Sequence, residues 1–289
     1  MLRKYFLYLS CLLLCLFSIS QPLYAQSQLK KEQICRIAFP PWQKGKAGIN
    51  QLYQPFISEL SKETGCTFMS IGGQNYQKTM NVLLTGKVDF AILGASMYVL
   101  AKYKNNRLKL VATELHSDIN ETKLVDYYYG YILSLKKNKA IKKLFDLRGK
   151  RFGFVRRESS SGYQYPNALL KKQKINYKHF FKKTYFLGNH HHVIKALVAG
   201  SIDAGATWEF NFQQAQKEYG DIFHILAKTP PIPNLAIVAH PSVSPQLVKK
   251  LRHALTTMER QYFKNLPVQG YTFRTDDFYN PVRHLIKQN

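Results

Sequence analysis

Acidic residues are scarce in this sequence. Among its 289 residues, 17 are Asp or Glu and 42 are Lys or Arg, which gives a formal net charge of +25. This imbalance favours acidic partners, namely nucleic acid, anionic lipid or a small anion. Cysteine is scarcer still, with four residues, so a disulfide-stapled miniprotein is excluded. Apolar residues make up 45% of the chain, enough for a buried core, which excludes a disordered or collagen-like chain.

The last 25 residues contain no long apolar run, so a second membrane segment is not expected there. One apolar run stands at the other end, where Arg3 and Lys4 precede residues 5–19 and Ala25 offers a small residue for cleavage. A bilayer span needs about 20 apolar residues, and this run is shorter. We therefore expect residues 1–25 to be a secretory signal peptide that is removed, with a retained anchor as the alternative. The mature protein is expected in the periplasm, across the inner membrane.

The mature protein remains strongly basic and retains two cysteines. Removal of residues 1–25 takes away two positive charges and leaves a net charge of +23. A nucleic-acid partner is then not expected, because an exported protein rarely meets DNA. Cys35 and Cys66 are the cysteines that remain, each at the start of a predicted early strand. In an oxidising compartment they form either one disulfide, if the two strands are neighbours, or two free buried thiols.

Catalytic and cofactor motifs are missing from the sequence. Ser160 lacks the glycine two positions before it that a nucleophile elbow needs. There is no Walker motif, no dinucleotide-binding glycine motif and no His-Glu-x-x-His. His190, His191 and His192 are adjacent, whereas metal ligands on a helix need a spacing of three or four residues. We therefore expect a binding protein without a cofactor or a metal, not an enzyme.

Predicted strands and helices alternate along the chain, which is typical of an α/β fold with largely parallel sheets. Two units of the order βαβαβ are expected. The first has strands at 34–39, 66–71 and 88–93 and helices at 50–64 and 76–85. The second has strands at 151–155, 183–186 and 202–206 and helices at 162–173 and 191–199. A short pattern recurs about 114 positions later: Leu83, Gly86, Val88 and Asp89 match Leu197, Gly200, Ile202 and Asp203, and Asn75 matches Asn189.

The repeat predicts two similar lobes that face each other across a cleft. Two extended runs, 126–135 and 223–239, are expected to cross between the lobes as a two-strand hinge, and a terminal helix is expected at 245–263. The predicted division of the chain is lobe 1 at 26–126 plus 226–289 and lobe 2 at 127–225. Two lobes also fit the length of the chain.

Three adjacent serines form the most informative segment. Ser159, Ser160 and Ser161 follow a predicted strand and open a predicted helix, whose first backbone amides have no partner within the helix. Together with the helix dipole, three hydroxyls form a donor array that suits a tetrahedral oxyanion. An ordinary serine N-cap, for which Ser161 is the best candidate, explains the same residues without a ligand.

Four other side chains are candidates for the same cleft. His190 is expected at a helix start, where its imidazole could donate to an anion, helped by partial protonation. Tyr76 and Tyr98 lie in the C-terminal regions of first-lobe strands, where open α/β sheets bind ligands. Glu209 follows the last strand of the second unit and could meet a cationic group of a ligand. The structural alternatives are a solvated helix start for His190 and Glu209 and simple packing for the tyrosines.

The order of the motifs resembles a known family. In chain order the sequence contains these segments: Phe-x-Pro at 39–41, Asp-Phe-Ala-Ile-Leu-Gly at 89–94, Asp-Leu-Arg-Gly-Lys at 146–150, Ser-Ser-Ser-Gly-Tyr at 159–163, Gly-Asn-His at 188–190, Ile-Asp-Ala-Gly-Ala at 202–206 and Pro-Ile-Pro-Asn at 231–234. This order is similar to that of the phosphate-, phosphonate- and phosphite-binding proteins of ABC importers, over residues 34 to about 260. The chain departs from the family pattern with serine at Ser160, where threonine is usual, and with Asn189, where serine is common.

The resemblance implies a type II periplasmic binding protein fold and a monomer that captures a small phosphorus oxyanion for an ABC permease. It implies that Ser159, Ser160, Ser161 and His190 hold the phosphoryl oxygens. It also implies that Tyr76 and Tyr98 cover the ligand from the first lobe. Glu209 is a looser match to carboxylates that hold an aminoalkyl group in some members of the family. An exported anion-sensing or interaction protein that uses the same cleft without transport is the alternative. A third possibility is a hydrolase built around Ser160.

Overall fold

The predicted βαβαβ order is present in both halves of the chain. The computed structural model describes residues 33–40, 48–72, 75–118, 122–264 and 266–288, and the predicted signal peptide at 1–25 lies outside these ranges. Residues Gln33–Asn289 form one compact unit. None of the helices in the described ranges combines the length and the apolar character that a membrane span needs.

The elements follow one another in this order. The first part contains β1 (Ile34–Phe39), α1 (Gly48–Thr64), β2 (Thr67–Gly72), α2 (Tyr76–Leu84), β3 (Phe90–Leu93), α3 (Ala95–Lys104), β4 (Lys109–Ser117), β5 (Leu124–Val125) and β6 (Tyr127–Tyr128). The middle part contains β7 (Gly130–Leu135), β8 (Arg151–Phe154), α4 (Tyr165–Lys172), α5 (Tyr177–Phe180), β9 (Lys183–Phe186), α6 (His190–Val198), β10 (Ala204–Trp208), α7 (Glu209–Tyr219) and β11 (Phe223–Lys228). The last part contains β12 (Ile232–Pro233), β13 (Ala236–Ala239), α8 (Pro245–Thr257), β14 (Gly270–Thr272) and α9 (Asn280–Gln288).

Two sheets organise these elements. The first sheet has the strand order β14-β4-β13-β3-β1-β2, with β5 beside β4, and the second has the order β11-β7-β10-β8-β9. The strands of each βαβαβ unit pair in parallel, as β2-β1-β3 and as β9-β8-β10. This confirms the α/β fold.

The sheets are mixed, although the sequence predicts mainly parallel ones. In the first sheet β13 returns from the second half of the chain and inserts between β3 and β4, antiparallel to both. In the second sheet β7 inserts between β10 and β11 in the same way. Each sheet therefore has in its interior an antiparallel strand that comes from a segment connecting the two halves.

Two segments connect the sheets, and they pair with each other through β6 and β12. In this short antiparallel ladder Tyr128 faces Ile232 and Tyr127 faces Pro233. The strand β11 stays in the second sheet as far as Lys228, beyond the lobe limit predicted at 225. The lobe limits themselves stay a prediction.

Several local differences separate the structure from the sequence prediction. The helix predicted at 245–263 ends at Thr257, and a 3₁₀ turn, Arg260–Phe263, follows it. The helix predicted from 162 begins earlier with a π-helical turn, Ser160–Gln164, before α4 starts. Four helices of the described ranges go beyond the prediction: α3, α5, α7 and α9.

The two halves share the way in which their second helix begins. The side-chain oxygen of Asn75 accepts the backbone N–H of Lys78 at 2.8 Å, and that of Asn189 accepts the backbone N–H of His192 at 2.8 Å. Both asparagines are therefore N-caps of equivalent helices, α2 and α6. The first helical residue after the cap is Tyr76 in one half and His190 in the other.

The two halves also share an aspartate that joins the first and third strands of each unit. Asp89 accepts the backbone N–H of Arg36 at 2.7 Å, and Asp203 accepts the backbone N–H of Arg151 at 2.8 Å. Each aspartate precedes the third strand of its unit and ties it to the first strand. Asp89 and Asp203 are therefore structural residues of the repeat.

Apolar side chains cover both faces of each sheet. In the first sheet, α1 and α8 pack on one face and α2, α3 and α9 on the other. In the second sheet, α4 and α5 pack on one face and α6 and α7 on the other. The starts of the neighbouring strands β1 and β2 are joined by a disulfide between Cys35 and Cys66, both buried, with their Cα atoms 6.0 Å apart.

Candidate functional site

A small cavity lies between the two sheets, where polar side chains from both halves converge. Its volume is about 30 Å³, whereas pockets for drug-sized ligands measure about 300 Å³ or more. It therefore has room for a small group and not for a nucleotide. The second half of the chain contributes Glu158, Ser159, Ser160, Ser161, His190 and Trp208, and the remainder is lined by Tyr76, Gly94, Met97, Tyr128 and Leu235.

The three serines are brought together at the cavity and are all buried. Ser159 is the N-cap of the π-helical turn, because its Oγ accepts the backbone N–H of Gly162 at 3.0 Å. This corrects the expectation that Ser161 is the cap. The turn packs closely on β8, since a Cβ added at Gly162 would lie 2.4 Å from Cγ2 of Val155. Glycine at this position therefore lets the serine segment lie against the end of the strand.

Ser160 is bonded to the first half of the chain through Ser96. The Ser160 hydroxyl donates to Ser96 Oγ at 2.9 Å and accepts the backbone N–H of Ser96 at 3.0 Å. Ser96 is fully buried in the first turn of α3, whose N-cap is Gly94. Its backbone N–H is one of the helix's first amides, which have no partner within the helix. The start of α3 thus faces the serine segment across the cavity.

Two tyrosine hydroxyls from outside the second sheet also contact the serines. The Tyr76 hydroxyl interacts with Ser159, and the Tyr128 hydroxyl interacts with Ser161 and Ser160. Burial raises the pKa of Tyr76 above its usual range and the pKa of Tyr128 to about 12, so both phenols are neutral donors at physiological pH. Each of the three serines therefore faces a hydroxyl group across the cavity.

His190 lies on the cavity in a neutral state. Burial lowers its pKa to about 3, which corrects the expectation of partial protonation. Its Nδ1 lies 3.2 Å from Oγ1 of Thr207, and that oxygen accepts a hydrogen bond from Nδ2 of Asn211 at 3.1 Å. The Thr207 hydroxyl can then donate to Nδ1, which leaves the imidazole hydrogen on Nε2. His190 is therefore suited to donate one hydrogen bond without carrying a charge.

Tyr98 lies outside the cavity, against expectation. Its hydroxyl donates to the carboxylate of Asp276, and its ring packs against Tyr279, with the ring centroids 4.6 Å apart. Successive residues of an α-helix are rotated by about 100°, so Tyr98 points about 200° away from Ser96, two positions earlier. It faces the C-terminal segment and is not among the cavity residues.

Glu209 also lies outside this cavity. It lines a neighbouring cavity of about 230 Å³ with His116 and Lys217, and its Oε1 accepts the hydroxyl of Tyr131 at 3.0 Å. Trp208 and Tyr128 line both cavities, so the two cavities are adjacent. Glu209 belongs to the neighbouring cavity and not to the one that the serines line.

The sequence prediction misses several cavity residues: Gly94, Met97, Tyr128, Glu158, Trp208 and Leu235. It also misses Ser96, which bonds to Ser160 from behind the cavity lining. A usable signal exists for Gly94 and Ser96, because they directly follow β3, and polar residues after parallel strands commonly line a site. Glu158 adjoins the predicted serine segment. No local feature distinguishes Tyr128 from its tyrosine neighbours, or marks Leu235.

Four helix starts converge on the cavity, at Tyr76 of α2, Ser96 of α3, the turn before α4 and His190 of α6. The positive ends of helix dipoles and the unpaired amides favour an anion at such a place. The cavity is therefore suited to a small anion, and the two mixed α/β sheets around it define a fold of the type II periplasmic binding protein kind.

The chain belongs to a family described as the periplasmic substrate-binding proteins of phosphonate ABC transporters, whose model matches residues 37–279. This agrees with the resemblance of the motif order. Proteins of this family serve ABC importers from the periplasm.

Individual relatives agree with this assignment. The phosphate-import protein PhnD of Mycolicibacterium smegmatis is 24% identical over 231 residues, which span 76% of this chain and 70% of that protein. A probable phosphite-binding protein, PhnD1 of Prochlorococcus marinus, is 27% identical over 76% of this chain and 72% of that protein.

Solved structures share the fold. A binding protein of an ABC phosphonate transporter from Pseudomonas aeruginosa superimposes with a TM-score of 0.76 at 18% identity, over 89% of this chain and 87% of that one. PhnD1 of Prochlorococcus marinus in complex with methylphosphonate gives a TM-score of 0.75 at 18% identity, over 89% and 98%. The likeness confirms the type II periplasmic binding protein fold.

Proposed function

We propose that this protein captures one small phosphorus oxyanion between its two sheets and presents it to an ABC permease in the inner membrane. The observation that carries the proposal is the row of three buried serines, Ser159 to Ser161, at a helix start inside a cavity of about 30 Å³. A phosphoryl group is tetrahedral and offers several acceptor oxygens. A compact array of hydroxyl donors matches that geometry.

The donors that we assign to the ligand are neutral. Ser159, Ser160, Ser161 and Tyr76 offer hydroxyl groups, and His190 offers an imidazole N–H. Preorganised neutral donors and helix termini stabilise an anion without a formal positive charge beside it. We do not include Tyr98 or Glu209 in the ligand contacts, because their polar groups bond to Asp276 and Tyr131, respectively.

Capture requires that the cavity open. We propose that the two sheets are the cores of two lobes, and that the segments carrying β6 and β12 act as the hinge. The Ser96–Ser160 bonds join opposite sides of the cleft, so they belong to the closed form. In this mechanism the protein works as a periplasmic monomer, without nucleic acid, and changes no covalent bond of its ligand.

The names of the relatives support a phosphorus ligand and differ in which one. They are a phosphate-import protein, a phosphite-binding protein and a structure with methylphosphonate. The shared chemistry is a tetrahedral phosphoryl group with one variable substituent. We infer that this protein binds a member of that class, with the substituent kept small by the cavity.

Isothermal titration calorimetry tests the proposal. The mature protein is unfolded, dialysed and refolded to remove carried ligand, then titrated with phosphate, phosphite, methylphosphonate and 2-aminoethylphosphonate. We expect saturable binding with one-to-one stoichiometry for at least one of them. No binding of any of the four, by a protein whose circular dichroism shows correct refolding, would contradict the proposal.

A further inference from the structure

One carboxylate lies among the donors of the cavity. Glu158 directly precedes the serine segment and lines the cavity. Burial raises the pKa of the Tyr76 phenol, Tyr128 adds to this effect, and the charge of Glu158 makes a smaller contribution in the same direction. Because Glu158, Tyr76 and Ser159 line one cavity of about 30 Å³, an anion bound there lies close to Glu158.

A carboxylate has a different hydrogen-bonding capacity from every other polar side chain that lines this cavity. Hydroxyl groups donate and accept, and the neutral imidazole of His190 donates through Nε2 and accepts through Nδ1. An ionised carboxylate only accepts. A ligand beside Glu158 must therefore bring a hydrogen of its own, or place two negative charges next to each other.

Oxyanions of similar size differ in this respect. Phosphate retains a proton throughout the neutral and mildly alkaline range, and methylphosphonate retains one in its monoanion. Sulfate at neutral pH has none. Sulfate would place its negative charge beside the Glu158 carboxylate, and like charges at short distance repel each other. Sulfate also has no hydrogen to donate, so the carboxylate would lack a hydrogen-bond partner. We therefore expect the cavity to bind sulfate more weakly than a protonated phosphorus oxyanion.

We propose that Glu158 is the residue that makes this site specific for protonated phosphorus oxyanions, by accepting the ligand's P–OH hydrogen and repelling sulfate. This inference rests on the proposed function and adds to it the protonation state of the ligand. Glu158 acts here as a specificity residue, and the serines provide the affinity.

Other titratable groups near the carboxylate are of three kinds. His190 is neutral with a pKa of about 3, and the phenols of Tyr76 and Tyr128 have pKa values raised by burial, so none of these groups changes charge between pH 6 and 9. The guanidinium of Arg156 donates from Nε to the carbonyl oxygen of Gly188 at 2.9 Å.

Two further histidines, His191 and His192, are exposed and do not line the cavity. Arg157 is also exposed, and its guanidinium faces the hydroxyls of Tyr163 and Tyr177. All of these groups are the same in the wild-type protein and in a Glu158 variant. A comparison between the two proteins therefore removes their contributions.

The test is calorimetric titration of the wild-type protein and of Glu158→Gln with phosphate, methylphosphonate and sulfate at pH 7. Glutamine keeps the size of the side chain, removes the charge and adds an N–H donor. We expect the wild type to bind sulfate at least ten- to a hundredfold more weakly than its best phosphorus ligand, about the effect of one charge-assisted hydrogen bond. In Glu158→Gln the sulfate affinity should rise at least tenfold.

The same titrations between pH 6 and 9 give a second measurement. Methylphosphonate loses its last proton over this range, whereas phosphate keeps one. We expect the wild-type affinity for methylphosphonate to fall with rising pH relative to that for phosphate, and this fall to be absent in Glu158→Gln. Glu63→Gln, at an exposed position of α1, removes the same charge outside the cavity and should behave as the wild type.

The possible outcomes separate the two proposals. Binding of a phosphorus oxyanion with the same discrimination against sulfate in Glu158→Gln as in the wild type overturns the role of Glu158 alone. Equal affinity of the wild type for sulfate and phosphate overturns it as well. Binding of none of the phosphorus oxyanions by either protein overturns the proposed function and, with it, this inference.

Discussion

Ser96 and Ser160 are joined by two hydrogen bonds although 64 positions separate them in the chain. The Ser160 hydroxyl is donor in one of these bonds and acceptor in the other, so its hydrogen and one lone pair are both used. A hydroxyl in this state has a fixed orientation. The pair therefore holds the start of α3 and the serine turn in register with each other.

Substitution of Ser160 by alanine should weaken ligand binding. When the ligand binds, we expect the Ser160 hydrogen to turn from Ser96 Oγ to the anion, while the bond from the Ser96 N–H remains. The change removes this donor and both contacts with Ser96, and a hydrogen bond to a charged group contributes about 1.5 to 3 kcal/mol. We expect a loss of affinity of roughly ten- to a hundredfold for the best phosphorus ligand, measured by calorimetry.

The matched control is Ser134→Ala. Ser134 is fully buried in β7, and its hydroxyl has no hydrogen-bond partner among the described residues. This change should leave the affinity within about twofold of the wild type. Equal affinities of Ser160→Ala and Ser134→Ala would place the ligand elsewhere.

Tyr98→Phe should affect stability and not affinity. The hydroxyl of Tyr98 donates to Asp276, whose carboxylate also pairs with Arg283. Because Asp276 is partly exposed, the lost bond should cost about 1 to 2 kcal/mol in the free energy of unfolding, measured with urea. Tyr103→Phe, on the same helix but 52% exposed, should leave stability unchanged. A tenfold loss of affinity in Tyr98→Phe at unchanged stability contradicts our placement.

His190 should make the protein less stable in acid. Its pKa is about 3 when folded and about 6.5 when unfolded, so between these values the unfolded chain binds the proton more strongly. The stabilising contribution is therefore complete above pH 6.5 and is lost as the pH falls. At pH 5 the loss should be about 2 kcal/mol.

The variant His190→Gln isolates this effect. We expect the stability difference between pH 7 and pH 5, from urea unfolding, to be smaller in the variant by about 2 kcal/mol. Other groups titrate in both proteins and cancel. If the free energy of unfolding changes by the same amount between pH 7 and pH 5 in both proteins, His190 is not a buried neutral residue. Because the imidazole stays neutral, the ligand affinity of the wild type should show no increase attributable to His190 at pH 5.

Removal of the disulfide should destabilise the protein without altering the site. Cys35 and Cys66 close a loop of 31 residues, and a cross-link of this length contributes about 3 to 4 kcal/mol. The double variant Cys35→Ser, Cys66→Ser should show this loss in urea unfolding. Ligand affinity should stay within about twofold, because neither cysteine lines the cavity. Unchanged stability would show that the bond does not form in the mature protein.

The sequence predicts the parallel part of each sheet because the information is local. Helices that end at Gly65, Gly86 and Gly200 separate apolar strands, and these helix-ending glycines can be recognised in the sequence alone. The inserted strands β13 and β7 are different, since their partners lie far away in the chain. No local pattern shows that β13 lies between β3 and β4, and the predicted sheets are therefore too uniformly parallel.

The candidate site shows the same division. The serines, Tyr76 and His190 come four to six positions after predicted strands, at or near predicted helix starts, and the structure brings them together. The proton state of His190 depends on burial by residues from several elements, which a sequence does not display. Tyr98 is misplaced because the sequence prediction puts it at the end of a strand and includes no helix there. It lies in the first turn of α3, which directs it away from Ser96 and the cavity.

The shared caps Asn75 and Asn189 place equivalent backbone positions on the cavity from opposite halves of the chain. The residue after the cap is Tyr76 in one half and His190 in the other, and both line the cavity. The backbone there is similar in the two halves, whereas the side chains differ: one half contributes a phenol and the other an imidazole. The cavity is therefore chemically asymmetric although the two helix starts that border it are alike.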